Sequence, residues 1–97
     1  MNLPFLKRRH DEKSVEMLRV WIAEHRLWCS IKVGVYADTA VNEEKAWGVI
    51  LADATRHIAA ALESSQAAKA AETIWKIRAS YLTELSRPTS EAKGDFV

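Results

Sequence analysis

The stretch Leu18-Arg19-Val20-Trp21-Ile22-Ala23-Glu24-His25-Arg26-Leu27-Trp28-Cys29-Ser30-Ile31 decides the fold. Leu18, Val20 and Ile22 fall on one side of a two-residue period. After the polar break Glu24-His25-Arg26 the same period resumes at Leu27, Cys29 and Ile31 and runs on through Val33 and Val35. Alternation of this kind marks a strand, because successive side chains of an extended chain point to opposite faces. Two strands joined tightly satisfy both runs. With Ala23 opposite Arg26 across a Glu24-His25 turn, Ile22 opposes Leu27, Val20 opposes Cys29 and Leu18 opposes Ile31, so every apolar residue meets an apolar partner. The same register sets Trp21 against Trp28 on the second face, where cross-strand aromatic pairs contribute about 0.2 to 1 kcal/mol. The turn lacks the Asn-Gly or Asp-Gly pair of two-residue hairpins, so a longer loop stays open, and any shift that keeps the faces matched must move the register by two.

Downstream, Asp38 to Val41 reads as a connector. Asn42 followed by Glu43-Glu44 reads as a helix N-cap with acidic residues in the first turn, where they favour the helix dipole. Trp47, Ile50, Leu51, Ala54, Ile58, Ala61 and Leu62 then follow helical spacing until the polar Glu63-Ser64-Ser65-Gln66. A second helix is expected from about Ala67 to Leu85, with Ala71, Ile74, Ile77, Tyr81 and Leu85 on one stripe widened by Trp75 and Leu82, and Pro88 stops it. The fold class is therefore α+β, an antiparallel β-hairpin followed by two amphipathic α-helices. Residues 1–13, with Lys7, Arg8, Arg9 and Lys13 against Asp11 and Glu12, read as a mobile arm. Residues 14–88 read as a single domain, and residues 89–97, rich in Ser, Glu, Lys, Gly and Asp, as a flexible tail.

Composition narrows the function classes. The 97 residues are 48% hydrophobic and 28% charged, ordinary usage for a folded domain, and the 14 basic and 13 acidic residues leave a formal charge of +1. No net field favours nucleic acid or an anionic membrane. The single cysteine, Cys29, has no partner for an internal disulfide, and the apolar start before Lys7-Arg8-Arg9 is too short for a signal peptide, so the cytoplasm is the expected compartment. The longest apolar region, Ala46 to Leu62, is broken by Asp53, Arg56 and His57 and falls short of the ~20 residues of a membrane helix.

Geometry makes one copy look incomplete. Paired strands lie ~4.8 Å apart and packed helices ~8 to 10 Å apart, so two strands are too narrow to cover two long helices side by side. A hairpin also leaves two free edges, and here a second face bearing Trp21, Trp28 and Tyr36. A homodimer removes both deficits, by a four-stranded sheet or by packing of the tryptophan faces. Trp21, Trp28 and Tyr36 are the expected interface residues, open also to another protein. Arg19 and Lys32 beside these rings could suit single-stranded nucleic acid through stacking, but the near-neutral charge argues against it.

Chemistry-bearing residues are sparse. Asp53 and His57, four apart on the first helix, share a flank, placing Asp53 to orient His57 rather than Arg56. Arg78 falls near the middle of the second helix's apolar stripe, where an unpaired guanidinium would be costly, and Asp53 is its first candidate acceptor, ahead of Asp38 or a helix-end carbonyl. Asp53, His57 and Arg78 thus form a candidate anion-binding or proton-transfer cluster, although groups of these types more often act as a structural bridge. His10, His25, His57 and Cys29 show no metal-ligand spacing, Cys29 reads as a small core hydrophobe, and Gly34 and Gly48 form no phosphate cradle, so neither metal nor cofactor is expected.

The run Glu16-Met17-Leu18-Arg19-Val20-Trp21, followed by Ala46-Trp47-Gly48-Val49-Ile50-Leu51-Ala52-Asp53 and Arg56-His57-Ile58-Ala59, resembles a family of short bacterial proteins classed as a domain of unknown function, over about Glu16 to Pro88. The resemblance implies a bacterial origin and no assigned chemistry. The reading that results is a non-enzymatic, self-associating or protein-interaction module. The alternative is an anion or small-metabolite binder, or an enzyme, built on Asp53, His57 and Arg78.

Overall fold

The structure, a computed structural model, describes residues 12–97. The first eleven residues of the expected arm lie outside that range. The element order is β1 (Leu18–Ala23), β2 (Arg26–Ile31), α1 (Glu43–Ser64), α2 (Ala70–Ser86) and β3 (Lys93–Phe96). The hairpin followed by two helices is therefore as expected, and β3 is added to it. Among the described residues two compact units emerge, one holding residues 12–33 together with Ala92–Val97, the other Gly34–Glu91.

In the first unit the strand order is β1-β2-β3. β1 and β2 pair antiparallel with Leu18 opposite Ile31, Val20 opposite Cys29, Trp21 opposite Trp28 and Ala23 opposite Arg26, the register that apolar pairing demands. The two-residue loop closes without glycine or asparagine because Glu24 and His25 both take positive φ, 55° and 60°. This is the signature of a type I′ turn, whose twist matches that of the flanking strands. β2 ends at Ile31, so the alternation through Val33 and Val35 does not extend the strand. The break falls next to Gly34, at φ 84°.

Segment 89–97, expected as a tail, carries β3. It pairs parallel with β2, Cys29 opposite Gly94 and Ile31 opposite Phe96. The pairing is extended by hydrogen bonds from the Val97 N–H to the Ile31 carbonyl at 2.7 Å and from the Val33 N–H to the Val97 carbonyl at 3.2 Å. Gly94 is required here: at φ 145°, a Cβ would overlap the Cys29 backbone carbonyl.

The second unit is an α-helical hairpin. Asn42 caps α1 as expected, its side-chain oxygen accepting from the Lys45 N–H at 2.8 Å. The Glu43 carboxylate accepts from the Gly34 N–H at 3.0 Å and from the Trp47 indole N–H at 3.2 Å, fastening the connector to the first turn. α1 ends in a Schellman arrangement. Gln66 at φ 63° donates to the Glu63 carbonyl and Ala67 to the Leu62 carbonyl, both at 2.9 Å, so the orphan carbonyls of the last turn are satisfied. Ala67 is spent on this motif, which is why α2 starts at Ala70 rather than at Ala67. The Ala70 N–H is met by the Glu63 carboxylate at 3.1 Å, replacing the cap that Lys69 cannot supply. α2 closes where Glu84 accepts from the Thr89 N–H and hydroxyl, at 2.9 and 3.0 Å.

Candidate interaction surface

The paired tryptophans are built by the turn. Once Glu24 and His25 fix a two-residue loop, parity sends Arg19, Trp21 and Ala23 to one face of β1 and Trp28 to the same face of β2. Trp21 and Trp28 stack with ring centroids 6.4 Å apart and planes 13° from parallel. The Trp28 indole N–H donates to the Ala23 carbonyl at 2.9 Å. Trp28 is half-buried and Trp21 is 40% exposed, so the stack presents Trp21 outward. Arg19 on the same face forms an exposed ion pair with Glu16 at 2.9 Å.

Tyr36, which the sequence suggests as part of the hairpin, lies beyond its second strand. β2 has already ended, and Tyr36 lies in the turn 35–38 of the helical unit. There it lines an open groove of about 530 Å³ together with Val41, Ala46, Val49 and Ile50, with Asn42 and Lys45 also in its wall. The Asn42 side-chain oxygen is already committed to the Lys45 N–H. The groove's remaining lining is mainly aliphatic, which offers contact area but few directed polar groups.

Among the described residues Asp53, His57 and Arg78 make no hydrogen bond or ion pair with one another. Asp53 forms its ion pair with Arg56, three residues on, and both side chains are exposed, at 61% and 62%. An i,i+3 spacing is within reach on a helix surface, and it is the Arg56 guanidinium that takes the carboxylate. His57 is exposed and makes no side-chain hydrogen bond among the described residues. Arg78 is exposed too, not set in a covered apolar face. Its expected cost of burial does not arise, because the stripe around it is itself open: Tyr81 is 49% and Leu85 65% exposed.

Cys29 is free and half-buried opposite Val20, in keeping with a small hydrophobe. No group of three His, Cys, Asp or Glu side chains suited to a metal ion occurs among the described residues. No helix among them is long and apolar enough to cross a membrane.

The feature that sequence reasoning saw only in outline is the extent of exposed apolar surface. Among the described residues only Ala59 and Thr73 are buried. On the hairpin, Val20 is 49% and Ile22 79% exposed; on the helices, Trp75 is 67% exposed and Ile58 49%. These residues belong to the runs whose periodicity reveals the elements. Periodicity shows which side chains seek cover but not whether one chain supplies it.

Residues 7–89 match a protein family described as a domain of unknown function, DUF5076. Its match stops before β3. None of the curated proteins compared with the chain matches it. One solved structure is similar with a TM-score of 0.62 and 27% sequence identity, covering 84% of this chain and 78% of the other. It is described as "Structure of a putative pyruvate dehydrogenase from the photosynthetic bacterium Rhodopseudomonas palustrus CGA009".

Proposed function

The chain belongs to the DUF5076 family, a domain of unknown function, and from that premise we propose that it is a non-enzymatic module that works by self-association, as a homodimer, and through it by docking other protein. One observation carries this reading: among the described residues only Ala59 and Thr73 are buried, while Ile22, Trp75 and Leu85 are 79%, 67% and 65% exposed. Ordering a chain costs roughly 1 to 2 kcal/mol per residue in backbone entropy, and apolar burial at about 25 cal/mol per Å² is the main compensation. Surface left in water contributes nothing to that compensation. A second copy covers it, and C2 pairing is the commonest way to do so.

The anion-binding alternative has less behind it, since Asp53 is engaged by Arg56 and the groove is lined by other residues. Cys29, free and half-buried, suits a reducing compartment, which makes the cytoplasm the proposed site of action. The pyruvate dehydrogenase description belongs to the similar structure and lends this chain no residue of a catalytic site.

Light scattering on the peak eluted from size exclusion tests the proposal. The expected mass is twice the 11.0 kDa of one chain. A monomer mass that holds at every concentration overturns it.

A further inference from the structure

The three-stranded sheet has two edges of opposite character. β3 is four residues long and carries Lys93 and Asp95 around Gly94, all exposed. Short, charged strands are the usual protection against edge-to-edge association. β1 is six residues long, has no proline or bulge, and pairs only with β2 among the described residues. Its exposed centre is Val20-Trp21-Ile22.

Hydrogen-bond parity tells which backbone groups of β1 are unused. In an antiparallel pair, opposed residues alternate between those that exchange hydrogen bonds and those that do not. Ala23 and Arg26 flank the two-residue turn as a hydrogen-bonded pair, and the Met17 carbonyl at the far end accepts from the Lys32 N–H at 3.0 Å. The odd residues Met17, Arg19, Trp21 and Ala23 therefore face β2. Leu18, Val20 and Ile22 direct their N–H and C=O groups away from it.

We infer that β1 is the self-association surface, pairing antiparallel with β1 of a second copy about a two-fold axis through Val20. The inference rests on the self-association reading and adds its geometry. A two-fold axis normal to the sheet preserves faces, so only registers centred on a residue are allowed. Centred on Val20, Leu18 meets Ile22 of the second copy, Val20 meets Val20, and Arg19 meets Trp21. Leu18, Val20 and Ile22 each gain an apolar neighbour, and a guanidinium comes against an indole ring, a cation–π pairing. The three outward residues of each chain then form about six backbone hydrogen bonds, two for each hydrogen-bonded pair. Centring on Trp21 sets Leu18 against Glu24 and gives Arg19 only Ala23, which is the poorer match. The Val20 register does bring Glu16 towards Glu24 of the second copy, but both lie outside β1 and Glu16 is already paired with Arg19. Joining the two sheets in this way yields one continuous sheet ordered β3-β2-β1-β1-β2-β3.

Residue-resolved amide hydrogen exchange on the full chain, run beside the mass measurement, tests this. In a dimer the amides of Leu18, Val20 and Ile22 exchange as slowly as those of Arg19, Trp21 and Ala23, and dilution to the monomer speeds the first three by about tenfold or more while leaving the others. A dimer mass with fast exchange at Leu18, Val20 and Ile22 overturns the edge pairing and leaves self-association standing through another surface. A monomer mass at every concentration overturns both. Slow exchange at those three residues that persists unchanged in the monomer also overturns the edge pairing.

Discussion

Trp21 and Trp28 stack across the hairpin at 6.4 Å, and the two rings are not equivalent: Trp28 also donates its indole N–H to the Ala23 carbonyl, at 2.9 Å. Trp21→Ala removes only the ring pair, a loss of about 0.5 to 1.5 kcal/mol. Trp28→Ala removes the same pair and the hydrogen bond beside the turn, adding a further loss of about 0.5 to 1.5 kcal/mol. Urea denaturation should therefore rank Trp28→Ala as the least stable, with Trp28→Phe, which keeps a ring pair and loses only the hydrogen bond, close to Trp21→Ala. Equal costs for the two alanine variants contradict this account. Both alanine variants should also lose the circular-dichroism couplet that two closely stacked indoles produce.

The turn stores strain that the sequence does not relieve. Glu24 and His25 hold φ values of 55° and 60°, a region that costs a residue with a side chain roughly 1 kcal/mol or more. His25→Gly releases that cost at one position, offset in part by the greater freedom of glycine in the unfolded chain. The expected result is a gain of about 0.5 kcal/mol, read as a higher melting temperature, with the register kept. Pairing of Trp21 with Trp28, checked by the same couplet, should be unchanged.

Gly94→Ala should detach β3 without disturbing the hairpin. The new methyl group meets the Cys29 carbonyl, and backbone there cannot swing aside as a flexible side chain would. The Val97 amide, which donates to Ile31, and the Val33 amide, which donates to Val97, should both lose protection from hydrogen exchange. The Lys32 amide, bonded to Met17 on the other side of β2, should keep it. Loss at all three amides points instead to collapse of the whole sheet.

These cases also show where sequence is a good guide to this chain. The hairpin register was legible because alternation, a two-residue gap and a tryptophan on each strand all demand the same pairing. Asn42 and the acidic first turn of α1 were legible because caps are local. β3 was not, since Lys93-Gly94-Asp95-Phe96 has no alternation and a glycine inside it, and its reason for being a strand lies in Cys29, far away in sequence. Parity alone places Tyr36 on the hairpin, and parity cannot see that β2 ends at Ile31, ahead of Gly34 at φ 84°. The pairing of Asp53 with Arg56 is not legible in the sequence for an energetic reason: a bridge from Asp53 to Arg78 presumes a covered stripe, and among the described residues Tyr81 and Leu85 beside Arg78 are exposed.

Arg78→Met separates an exposed arginine from a bridging one. If Arg78 tied the helices together, its loss would strand a buried acceptor and cost several kcal/mol. Exposed as it is, and with Asp53 already joined to Arg56, it should be replaceable within about 0.5 kcal/mol either way. Asp53→Asn should behave alike, because an exposed i,i+3 pair contributes only a few tenths of a kcal/mol and is screened by salt. The informative readout is the pair of variants together. Were the two residues coupled across the helices, the double variant would be less destabilised than the sum of the single ones, whereas independent surface residues add. Arg78→Met has a second consequence in the dimer: it enlarges the apolar stripe between Ile74 and Tyr81, so it should leave the elution mass unchanged or shift it towards larger species. A shift towards monomer would mean that the guanidinium itself contacts the second copy, and would move the self-association surface from β1 to α2.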